Sequence, residues 1–152
     1  MKNNIELPAQ QPLGRIFSRL GKSYLHLLNS KLKSLDLERN YYALLLIEQG
    51  ESNITQNELA SQLETDKVSI VRIIDYLAAK GYVVRVRSSA DKRKYCLTLT
   101  DKAKKALPGI RNVLEAVATS ACEGLTEEQK SVFLHSLETI KNNLNKANNS
   151  EI

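Results

Sequence analysis

Apolar residues recur along this chain with two different periods, and the points where the period changes mark its organisation. From Leu13 to about Leu35, residues Ile16, Leu20, Tyr24, Leu27, Leu28, Leu32 and Leu35 fall at helical spacing, and Phe17 and Leu25 widen the stripe. So wide an apolar face can touch its own domain and a second subunit together. A second helix is predicted from about Leu37 or Glu38 to Gln49, ending at Gly50. Its YYALLLI run is apolar almost all round, as in a helix buried mid-fold. Gly50 to Ile54 reads as a short loop. Thr55 and Glu58 then form a Thr-x-x-Glu capping box for a helix through about Leu63. Thr65 or Asp66 caps the next helix, where Ile70, Ile73, Ile74 and Leu77 make one buried stripe. Lys80 and Gly81 end it, a cation in the last turn before a residue that accepts the left-handed cap.

Beyond Gly81 the period becomes two. Val84 and Val86 share one face of a strand, and Arg85 and Arg87 share the other. Ser88 to Lys92 is a polar turn. The return strand sets Tyr95, Leu97 and Leu99 opposite Lys94, Cys96 and Thr98. Thr100 caps a further helix, whose stripe of Ala103, Leu107, Ile110, Leu114, Val117 and Ala121 contains Pro108-Gly109. A proline there removes a backbone bond and predicts a kink or break. Gly124 interrupts the pattern. Thr126 with Gln129 opens a last helix carrying Phe133, Leu137, Ile140 and Leu144. Helix, turn, helix, then a two-stranded wing is the winged helix-turn-helix order. The fold class expected is mainly α, with long N- and C-terminal helices forming a dimerisation base. The expectation is a single domain over 1–152, with a DNA-binding lobe at about 37–100 and dimerisation helices at about 12–35 and 101–147.

Composition adds one asymmetry. The 152 residues carry a net charge of +5. Between Lys67 and Lys105 stand eleven Lys or Arg against Asp75, Asp91 and Asp101, a local net of +8, so the remainder is acidic. A basic block on an acidic scaffold points to a local polyanion site. No apolar run approaches the ~20 residues of a membrane-spanning helix, and the polar start lacks the apolar core of a signal peptide. Two isolated cysteines predict reduced thiols in a cytoplasmic protein. His26 and His135 have no ligand-spaced Cys or His beside them, so neither a metal nor another cofactor is expected. No nucleophile-base set and no phosphate-binding glycine loop occur, which argues against an enzyme.

With the stripe of the second short helix buried, Lys67, Val68, Ser69, Val71, Arg72, Asp75 and Tyr76 face out. Val68 and Val71 are suited to thymine methyl groups in a major groove. Arg72 suits a guanine or a phosphate. Asp75 suits a cytosine or a neighbouring Arg that it orients. Arg85, Arg87, Lys92 and Lys94 read as phosphate contacts, or as a solvated charged face. The run Val71 to Leu77, then Lys80-Gly81-Tyr82-Val83, Arg85, Asp91-Lys92-Arg93 and Leu97-Thr98-Leu99-Thr100, resembles the MarR family of bacterial transcription regulators in order and spacing.

That resemblance implies a homodimer, with a helical base and two winged lobes, that binds a palindromic double-stranded DNA operator. It implies a repressor relieved by a small-molecule effector. It also implies that Arg93 enters a minor groove, positioned by Asp91; narrow A·T-rich grooves reward a guanidinium. The family's effector pocket lies where base meets lobe, which makes Tyr24, Tyr41 and Tyr42 candidate lining residues, with plain core aromatics the alternative. Two other functions stay open. One is a thiol-redox regulator through Cys96, partly exposed beside Lys94 and Arg85. The other is a winged-helix protein-interaction module without DNA binding.

Overall fold

The computed structural model describes residues 12–51, 53–88 and 92–150. Helix α1 covers Leu13–Leu32 and runs into a single 3-10 turn, Lys33–Leu35. Helix α2 is Tyr41–Gln49, starting with its apolar run and a few residues later than the expected Leu37 or Glu38. Leu37 is nevertheless fully buried just before it. Helices α3, Gln56–Gln62, and α4, Lys67–Ala79, form the helix-turn-helix. Thr55 and Glu58 close the expected capping box at α3, and Asp66 rather than Thr65 caps α4.

The wing has a third strand. The two-residue β1, Ile54–Thr55, pairs antiparallel with β3, Tyr95–Leu99, whose other edge pairs with β2, Val83–Arg87. The segment expected to be only a loop therefore ends in a strand, and β3 becomes the central strand. Cross-strand partners place Val83, Arg85, Leu97 and Leu99 on one face, and Val84, Val86, Cys96 and Thr98 on the other. Val83, Leu97 and Leu99 are buried, while Val84 and Val86 lie open.

Helix α5, Asp101–Ala121, passes through Pro108 as one helix, so the expected break does not occur. Pro108 and Gly109 sit on its exposed side, and Leu107 and Ile110 on its buried side hold the helix to the core. Thr100 accepts from the Ala103 N–H at 3.3 Å, as expected of its cap. Helix α6, Glu127–Ser150, opens on the Thr126–Gln129 box.

The chain forms two compact units, 1–117 and 118–152. The first has one core, in which Leu28, Leu44, Ile47, Leu59, Ile74, Leu97 and Leu107 are all but completely buried. Truncating any one of these to alanine costs about 2–5 kcal/mol. In the second unit Leu125, Val132, Phe133, Leu134 and Leu144 are exposed, as are Leu13, Leu20 and Leu27 of α1 in the first. No described helix is long and apolar enough to cross a membrane.

Candidate nucleic-acid interface

The start of α4 is built by one carboxylate. Asp66 Oδ1 accepts from the N–H groups of Val68 and Ser69 at 2.8 and 2.9 Å, and its Oδ2 accepts from the Ser69 hydroxyl at 2.7 Å. These bonds, the Ser69 N–H foremost, hold its pKa below the ordinary carboxylate value. The helix then buries Ile70, Ile74 and Leu77 and leaves Lys67, Val68, Val71, Arg72 and Asp75 exposed, with Val68 the most open of its valines at 62%. Ser69 is half-buried and its hydroxyl proton is already committed to the cap.

One of the outward-facing assignments changes. Tyr76 turns back toward the end of α1, its hydroxyl donating to the Asp36 carbonyl oxygen at 2.9 Å and to Asp36 Oδ1 at 3.2 Å. Asp75 accepts from Arg85 at 2.7 Å, which joins α4 to the first wing strand. Arg85 thus has a protein partner as well as its place on a charged strand. It lies on the Leu97 face of the sheet, and that face looks toward α4. Its neighbour Arg87 lies 5.8 Å from the Tyr95 ring centre, and its Nε donates to the Tyr95 hydroxyl at 3.3 Å.

At the wing tip Lys92, Arg93 and Lys94 are exposed, and the Ser88 N–H donates to the Lys94 carbonyl to close the hairpin. Asp91, expected to position Arg93, lies outside the described residues. The residues brought together are therefore an open, capped helix face and a basic wing, joined through Asp75 and Arg85.

Cys96 is corrected. Only 6% of it is exposed, because β1 pairs Thr55 alongside it, and its thiol donates to Asn53 Oδ1 at 3.3 Å. The strand pattern alone sets it on the Lys94 and Thr98 face of the hairpin, where partial exposure is expected in the absence of β1. Tyr24 and Tyr41 are half-buried and Tyr42 is half-exposed. Burial, and then the neighbouring Tyr24 and Tyr42, raise the Tyr41 pKa. They are not among the residues lining an open cleft of about 540 Å³ along α1, which includes Lys22, His26, Asn29 and Arg39. No cluster of three or more metal-binding side chains occurs among the described residues.

A capped helix presented beside a basic β-hairpin defines a winged helix-turn-helix protein. Residues 35–94, which contain the capped helix and the first wing strand, match the model of the MarR family. A MarR protein from Peptoclostridium difficile superposes with a TM-score of 0.80 at 25% identity, over 92% of this chain and 92% of that one. A MarR transcriptional regulator from Methanosarcina mazei is 26% identical with a TM-score of 0.77, over 88% of this chain and 90% of that one. A cysteine-to-serine mutant of E. coli MarR, complexed with operator DNA, is 25% identical with a TM-score of 0.77, over 85% of this chain and 93% of that one. Over residues 35–94 the chain is thus similar to the MarR family, and the winged-helix fold of these transcription regulators extends over most of its length.

Proposed function

We propose that the protein acts in the cytoplasm as a homodimeric repressor that binds a palindromic double-stranded DNA operator. The observation that carries this is the exposed face of α4, capped by Asp66 and tied to a basic wing through Asp75 and Arg85. Val68, Val71 and Arg72 read bases in the major groove, and Lys67 and Ser69 start the helix over the backbone. Arg85, Arg87, Lys92 and Lys94 neutralise phosphates, and Arg93, which the family resemblance pairs with Asp91, enters the minor groove. The operator complex of the E. coli relative supports DNA binding.

The exposed apolar residues of α1 and α6 support dimerisation, since surfaces of this kind are covered by a partner. In this reading 1–152 works as one unit, with a reading lobe at about 37–100 and dimerisation helices at about 12–35 and 101–147. A small-molecule effector binding near Tyr24, Tyr41 and Tyr42 releases the DNA.

The test is fluorescence anisotropy with duplexes from the region upstream of the protein's own gene, against mixed-sequence DNA of equal length. Tight binding to one duplex that weakens with salt is expected. Equal, weak binding to all duplexes would leave the fold as a protein-interaction module.

A further inference from the structure

Forty residues before Tyr76 of α4, the backbone turns from the 3-10 turn toward α2 at Asp36, a non-glycine residue with φ of 50°. Side chains from in and just after α4 converge on this point. The Tyr76 hydroxyl donates to the Asp36 carbonyl and carboxylate, Lys80 forms an ion pair with Asp36 Oδ2, and the Tyr82 hydroxyl donates to the Leu35 carbonyl at 2.6 Å. Lys102 backs the cluster, donating to the Lys80 carbonyl at 2.7 Å with its ammonium 4.2 Å from the Tyr82 ring centre.

Tyr76 and Lys80 are four residues apart, on one side of the helix and at its C-terminal end. The base-reading end is the opposite one. A helix of 13 residues spans roughly 20 Å. A tilt of about 10° at the clamped end therefore moves the reading end by about 3.4 Å, the rise of one base step. Because Arg85 joins the wing to α4, a tilt carries the wing along.

We propose, resting on the DNA-binding reading above, that Asp36 with Tyr76 and Lys80 is a positioning clamp. It fixes the recognition helix to the end of α1 and thereby sets the spacing between the two half-sites that the dimer accepts. None of the three need touch DNA. The clamp acts on spacing selectivity, not on the grip that holds any DNA.

The experiment uses the full chain and duplexes selected by the wild-type protein from a random pool. Their two half-sites are then moved one base pair closer or farther apart. Tyr76→Phe removes one oxygen, and Asp36→Gly keeps the left-handed backbone while removing the carboxylate. Both variants should lose about threefold to tenfold of the wild-type preference for the selected spacing. Affinity for mixed-sequence DNA and the melting temperature without DNA should stay near wild type. If Asp36→Gly melts early, Tyr76→Phe decides alone. A Tyr76→Phe protein as selective for spacing as wild type would overturn the clamp and leave DNA binding standing. So would a loss equal at every spacing. A wild-type protein that selects no duplex would overturn the DNA reading and the clamp with it.

Discussion

Asp66 shows how much of the site depends on a single side chain. Its carboxylate satisfies two of the first-turn N–H groups of α4 that no helical carbonyl can reach, and it carries a negative charge at the positive end of the helix. Its pKa is lowered in the folded chain, so its contribution is fully present above the ordinary value of 3.8 and is lost as pH falls through that range. Glu58 is lowered in the same direction by the Thr55 N–H, so acidification weakens the capping of both helices of the reading motif. Thermal melts of wild type and Asp66→Ala across the acid range should differ at neutral pH and converge below about 3.8. A gap that persisted undiminished in strong acid would mean that the ionised carboxylate is not the source of the difference. Cys96 makes the opposite case, a reactive residue type in an inert place. Cys96→Ser should bind operator like wild type under both peroxide and reductant. Loss of DNA by the oxidised wild type alone would restore the redox reading.

Among the elements, α5 is the one whose sequence and structure pull in different directions. Pro108 cannot donate to the Lys104 carbonyl, yet the helix continues because Ala103, Leu107, Ile110 and Val117 are buried along one side. Pro108→Ala, on the exposed side, should therefore stabilise the protein by about 1–3 kcal/mol in urea denaturation. A destabilised variant would show that the proline shapes the helix in a way the core requires. The long stripes and both capping boxes are legible in the sequence, because a period of 3.6 and a four-residue box are local signals. β1 is not, since two residues carry no period, and without it Cys96 looks exposed. Tyr76 reads as outward because its four-residue spacing from Arg72 is visible, whereas its bond to Asp36 spans forty residues. The pairing of Asp75 with a nearby arginine is legible as a choice between two partners, and the structure supplies Arg85.

For the whole molecule, the proposed dimer and the proposed reading of DNA are separable. Phe133→Glu combined with Leu144→Glu places charges on surface that is already open in the single chain, so folding should survive. Sedimentation should then give one chain of 17.1 kDa, where wild type gives two. A variant that remained dimeric would move the interface elsewhere. The central claim is that the outward face of α4 chooses the sequence while the wing mainly grips the backbone. The measurement is a salt titration of Lys94→Ala and Arg72→Ala on a set of operator variants. Lys94→Ala removes one phosphate contact from each subunit, so the slope of log K against log salt should flatten by roughly 1.8, with the order of preference intact. Arg72→Ala should instead cost about 1–3 kcal/mol at the base it contacts and relax selectivity at that position alone. If Lys94→Ala reordered the operators and Arg72→Ala only flattened the slope, the roles of helix and wing would be the reverse of those proposed.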